Sequence, residues 1–141
     1  MRKLLSLFAF VYLLSGCSSE LSFEEVNKKG VNKNIQSFID DVKDENGVHL
    51  YFEKQNVVYV YLNGTNVKQG DKAILFTDFN VEDNDETLNI FYNIEETEDY
   101  SSQSLENELL YKVNSNKKDE TIKLFKNGKE DSFGKISGSG K

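Results

Sequence analysis

Residues 47–62, GVHLYFEKQNVVYVYL, decide the fold. Val48, Leu50 and Phe52 alternate with His49, Tyr51 and Glu53, and residues 57–62 are all valine, tyrosine or leucine. Both runs have the period and the β-branched and aromatic content of strands, and a short polar stretch joins them, which predicts an antiparallel hairpin. A two-residue turn at Gln55-Asn56 would put Phe52 opposite Tyr59 and mix the faces. A three-residue turn, Lys54-Gln55-Asn56 with Asn56 left-handed, sets Phe52 opposite Val58, Leu50 opposite Val60 and Val48 opposite Leu62. That register sorts the side chains into a core face of aliphatic and aromatic residues and an amphipathic face of His49, Tyr51, Tyr59 and Tyr61. A one-residue slip reverses every side chain, so burial selects it.

Upstream, Ile35, Phe38, Ile39 and Val42 fall at i, i+3, i+4 and i+7, which predicts an amphipathic helix over Val31 to Glu45. Asn32 or Asn34 can cap its start, and Asn46-Gly47 can end it. Asp40, Asp41, Asp44 and Glu45 crowd its C-terminal half, where the macrodipole disfavours negative charge, so packing has to hold it. Downstream, residues 73–81 form a strand with Leu75, Phe79 and Val81 in phase, residues 82–86 an acidic turn, and Leu88, Ile90, Tyr92 and Ile94 the inner positions of the next strand. Residues 95–108 have no period and read as a long loop with room for one helical turn near Leu105 to Leu109. Shorter strands follow at 109–113 and 121–125, and Asn127-Gly128 turns the chain toward 133–136. The fold class is therefore α+β, one N-terminal helix packed on an antiparallel sheet of about five to seven strands, with the aliphatic hairpin face toward the helix.

The N-terminus sets the location. Arg2 and Lys3 precede an apolar run of 11 residues, Leu4 to Leu14, and then Ser15, Gly16 and Cys17. This is the layout of an export signal, too short for a membrane span, which needs about 20 apolar residues. The ending Leu14-Ser15-Gly16-Cys17 resembles the lipobox of bacterial lipoproteins, which implies cleavage before Cys17 and a diacylglyceryl group on its sulfur. The expected organisation is a lipoprotein signal peptide at 1–16, a polar tether at 17–32, one domain at 33–136 and a flexible tail at 137–141. Cys17 is the chain's sole cysteine, so no disulfide staples the domain. Removing residues 1–16 takes away Arg2 and Lys3, leaving 15 basic against 24 acidic side chains and a net charge of −9. Such a surface repels nucleic acid and anionic headgroups, so lipid has to do the anchoring.

Motifs for chemistry are sparse. His49 is the only histidine, so neither a multi-histidine zinc set nor a Ser-His-Asp arrangement finds support around it, and it reads as a cross-strand partner of Tyr61. The acidic turn lacks the central glycine and twelfth-position glutamate of an EF-hand, leaving a looser calcium site at Asp83, Asp85 and Glu86 as the alternative. No cofactor is expected. Tyr51, Tyr59 and Tyr61 form either an ordinary cross-strand ladder or a contact patch for a partner, tyrosine being suited to both. The order of a glycine-led strand, a Val/Tyr strand, a loop holding Gly64 and Gly70, and two further strands resembles, over roughly Gly47 to Val113, the PrcB-like domains of exported bacterial lipoproteins. That resemblance implies a partner subunit for a surface protease.

The functional expectation is a non-enzymatic lipoprotein on the extracytoplasmic face of the cell membrane that binds another surface or envelope protein, the alternative being a small-ligand or calcium-binding module. Mass spectrometry of membrane-extracted protein is expected to find a diacylglyceryl-bearing peptide beginning at Cys17, and Cys17→Ser is expected to lose stable membrane attachment. Recovery of residues 1–16 on a mature, unlipidated chain would contradict this.

Overall fold

The computed structural model describes residues 21–54, 56–84, 86–98, 107–115 and 121–138. They form three layers: one helix and two sheets. Helix α1 (Lys33–Val42) buries Ile35, Phe38, Ile39 and Val42, the four residues of the apolar stripe. Asn32 caps it, its side chain accepting from the Ile35 N–H at 3.1 Å. The helix stops short of the expected Glu45, leaving Asp44 and Glu45 outside the last turn.

The first sheet has five strands in the order β1 (Ser22–Glu25), β6 (Glu108–Asn114), β3 (Val57–Asn63), β2 (Gly47–Lys54) and β9 (Ile136–Gly138). The second has four, β4 (Ala73–Asn84), β5 (Thr87–Thr97), β7 (Thr121–Lys126) and β8 (Lys129–Asp131). The α+β mixture is as expected, but the single sheet is not. The strands after residue 73 mostly form their own layer, and two pairings, β2 with β9 and β5 with β7, are parallel. Parallel partners need a long connection rather than a hairpin, so adjacent runs of sequence do not reveal them.

The hairpin has the sorted register, with Val48 opposite Leu62, Leu50 opposite Val60, Tyr51 opposite Tyr59 and Phe52 opposite Val58. The route to it differs from the expected three-residue turn. Lys54 pairs with Val57, and the register shifts between Phe52 and Lys54, so Glu53 is taken up as a bulge that restores the sorting. Gln55 lies outside the described residues.

The two faces are assigned in the opposite sense to the expectation. Val48, Leu50, Val58, Val60 and Leu62 pack with Phe76, Val81, Leu88, Ile90, Tyr92 and Leu124 of the second sheet. Tyr51, Val57, Tyr59 and Tyr61 pack with the four apolar residues of α1. Every residue of β3 is buried as a result. The physical reason is the second sheet: a layer that covers the aliphatic face leaves the tyrosine face as the only place where α1 can bury its stripe. The phase of β4 also departs from a simple strand. A register shift between Phe76 and Asp78 moves the inner positions from Ile74 and Phe76 to Phe79 and Val81, which turns Leu75 away from the core.

Both ends of the domain are more ordered than a tether and a tail. Ser22–Glu25 pairs with β6, and Lys28–Gly30 forms a 3-10 turn capped by Asn27, so the tether expected at 17–32 contains a strand and a turn. Phe23 stands edge-on to Phe79 at 5.3 Å, and Phe79 stacks on Tyr111 at 3.9 Å, closing one side of the sandwich. On the other side, Asn127 (φ 51°) and Gly128 (φ 85°) make the tight turn into β8, after which the chain crosses to the first sheet. There the Gly134 N–H donates to the Val48 carbonyl at 2.8 Å and the Leu50 N–H to the Lys135 carbonyl at 2.9 Å. A Cβ on Gly134 would sit 2.5 Å from the His49 ring, so only glycine fits this crossing. Residues 137 and 138 of the expected tail belong to β9, while Leu105 and residues 139–141 lie outside the described residues.

The helix end is held by β3. The buried Asn63 amide donates to the carbonyls of Val42, Lys43 and Glu45 at 3.3, 3.0 and 2.9 Å, and its oxygen accepts from Thr65. The Val42 and Lys43 carbonyls are among those at a helix end that lack i+4 partners, and the Glu45 carbonyl belongs to the turn that follows. Asn63→Ala is expected to lower unfolding stability by about 1–3 kcal/mol in urea titrations. An unchanged midpoint would show that the amide does not hold the helix end.

Candidate functional site

The sequence singled out four places; Cys17 lies outside the described residues, and the structure treats the other three differently. Tyr51, Tyr59 and Tyr61 are buried, Tyr61 completely, beneath α1. Phe38 lies against Tyr51 with ring centroids 5.2 Å apart. The three tyrosines are therefore core between helix and sheet: of the two expected alternatives they form the cross-strand ladder, Tyr51 opposite Tyr59 and Tyr61 opposite His49, and not the contact patch. Their hydroxyls explain why tyrosine suits this layer. Burial pushes the Tyr61 hydroxyl well above the usual tyrosine range, and its bond to Glu108 adds to the shift. Glu108 in turn takes Lys28 Nζ at 2.6 Å, so a ring buried under a helix ends in an ion pair at the domain edge.

His49 is fully buried. Its Nδ1 accepts the Lys135 N–H at 2.9 Å, so Nε2, which lies 3.0 Å from the Glu45 carbonyl, carries the proton and donates. The ring also stacks beside Tyr61 at 6.2 Å. It is a fastener joining the helix end, β2 and the C-terminal crossing, with both nitrogens occupied. The expected pairing with Tyr61 holds, and the second role had no sequence signal because it depends on Gly134 approaching from 85 residues away.

At the acidic turn, Asp83 sits within β4 opposite Leu88, and Glu86 precedes β5. Asp85 lies outside the described residues. Among the described residues, no group of three His, Cys, Asp or Glu side chains is placed to hold a metal ion.

Two features that the sequence reading missed are more open. The first is a cleft of about 280 Å³ between the sheets, lined by Ile74, Phe76, Tyr92, Ile94 and Phe133, with Lys126, Asp131 and Ser132 among its polar members. Tyr92 donates to Asp131 Oδ2 at 2.8 Å, and burial together with that bond raises the Tyr92 hydroxyl well above its ordinary range. Strands β4, β5, β7 and β8 all contribute, so the sheet topology had to be known to see it.

The second is the outer face of the four-stranded sheet. Phe91 and Phe125 are paired across β5 and β7 and stack with centroids 5.0 Å apart and planes 18° from parallel. The register puts Asn80 and Glu130 at the two ends of this row, with Glu82, Asn89 and Lys123 in the row beside it. Asp78, Asn93, Leu75 and Glu95 continue the face, and Asn93 donates to Asp78 at 3.0 Å. No described element packs over these rings, since α1 lies against the other sheet. Alternation in β5 marked Phe91 as outward, and only the parallel partner Phe125 turns it into a pair.

No known protein family, curated protein or solved structure matches the chain. Function is therefore argued from the sites.

The Glu108 network generates a pH dependence. Burial pushes this carboxyl up, but the bonds from Lys28 and Tyr61 and the Lys28 charge outweigh burial and hold it below its ordinary value. A carboxyl lowered in the folded state stabilises the fold above its unfolded value, about 4.3, and that contribution is lost as pH falls through the folded value. Stability measured between about pH 6 and pH 3 is expected to fall more steeply for the wild type than for Glu108→Gln. Parallel curves would contradict the network's role.

Proposed function

We propose that the chain is a non-enzymatic lipoprotein, anchored through Cys17 on the extracytoplasmic face of the cell membrane, that binds another envelope protein through the outer face of its four-stranded sheet. The observation that carries the reading is the half-buried Phe91–Phe125 stack, on a sheet face over which no described element packs. Paired aromatic rings offer large contact area at small entropic cost, the pattern of an interface centre. Asp78, Glu82, Glu95 and Glu130 around them, against Lys123 alone, favour a partner that presents basic side chains. Lysine and arginine gain both from the carboxylates and from the ring faces. Anchoring adds to modest affinity, because two proteins held at one membrane meet at raised effective concentration.

Pull-down from intact membranes is expected to retain a partner with wild-type protein and to lose it with Phe91→Ala/Phe125→Ala, with the variant still folded by circular dichroism and its melting temperature lowered by the lost ring pair. Added salt is expected to weaken retention, as surface charge is screened. Equal retention by the variant would refute this face as the contact.

A further inference from the structure

We propose that the cleft between the sheets binds a small zwitterion, its ammonium group held by Asp131 and the neighbouring rings and its anionic end by Lys126. This site is separate from the outer face. Two opposite charges, on Asp131 and Lys126, line one hollow. Asp131 Oδ2 is taken by Tyr92, and no described residue bonds Oδ1. Lys126 is exposed, and the sole ion pair among the described residues is Lys28 with Glu108. Asp131 and Lys126 therefore face the same space without neutralising each other. An ion of one sign would meet one attraction and one repulsion there, whereas a zwitterion meets two attractions.

The walls agree with that assignment. Phe76 and Tyr92 lie 6.0 Å apart with planes tilted by 51°, and Phe133 lines the same cleft. Ring faces carry negative quadrupole and attract ammonium groups, quaternary ones included. Ile74 and Ile94 supply apolar surface for the body of the molecule. The volume, about 280 Å³, is below the roughly 300–1,000 Å³ of sites for drug-sized ligands, which restricts the occupant to the size of a free amino acid or a betaine.

Calorimetry on the full chain in detergent, with L-leucine and with glycine betaine as probes, tests the proposal. Saturable binding of at least one probe is expected, with Kd on the order of 1 mM or tighter. Stronger binding of betaine would assign the ammonium mainly to the rings, and stronger binding of leucine would assign it to Asp131; both support the site. Asp131→Asn, which still accepts from Tyr92, and Lys126→Gln are each expected to weaken binding tenfold or more. Lys123→Gln, on the outer face of the same strand as Lys126, is expected to leave it unchanged. Should Asp131→Asn fail to fold, the exposed Lys126 still decides. Absence of saturable binding by both probes, or binding indifferent to Lys126→Gln, would overturn the proposal.

Discussion

The pairing of β2 with β3, Leu50 opposite Val60 and Tyr51 opposite Tyr59, is the constraint on which the other layers depend. It places aliphatic side chains on one surface of a two-stranded unit and aromatic rings with polar tips on the other. Each surface then accepts a different cover. The aliphatic surface takes the second sheet, whose inner residues Val81, Leu88, Ile90 and Leu124 are aliphatic, with Phe76 and Tyr92 beside them. The tyrosine surface takes a single short helix, with large rings filling the space beside Phe38 and hydroxyls reaching the rim. A slip of one residue would present hydroxyls to the inter-sheet core and valines to the helix, leaving buried oxygens unpaired.

Much of this was legible in the chain because the relevant periods are local. The stripe Ile35, Phe38, Ile39 and Val42 and the alternation Leu88, Ile90, Tyr92 and Ile94 each lie within one element, and both appear in the core as read. The register of the hairpin was legible for the same reason. Which face meets which layer was not. Both faces of residues 57–62 are apolar enough to be buried, so pattern alone cannot choose between helix and sheet as the cover. The phase change at Phe76 to Asp78 was hidden because a bulge adds one residue without any compositional mark. Strands β1, β8 and β9, of four, three and three residues, are too short to show a period, and β9 exists only through its parallel pairing with β2.

The same packing decides what is left for function. Burying Tyr51, Tyr59 and Tyr61 removes them from any partner and leaves Phe91 with Phe125 as the stacked aromatic pair outside both cores among the described residues. The crossing of residues 132–135 closes one edge of the sandwich against His49 and at the same time walls the cleft beside Asp131. The order found in β1 also bears on the proposed anchor. Only four residues, 18–21, separate Cys17 from Ser22, and the five Cα-to-Cα steps reach at most about 18 Å when fully extended. A domain tied that closely would stand beside the membrane, which shortens the search for a partner held at the same surface.

The central claim is that the tyrosine face of the hairpin carries the helix and the aliphatic face carries the second sheet. Proton NMR distance contacts test it directly. Contacts are expected from the Tyr59 and Tyr61 rings to the methyls of Ile35, Ile39 and Val42, together with contacts from Leu50 and Val60 methyls to those of Ile90 and Leu124. Contacts from Ile35 and Val42 to Leu50 and Val60, with the tyrosine rings open to solvent, would contradict it.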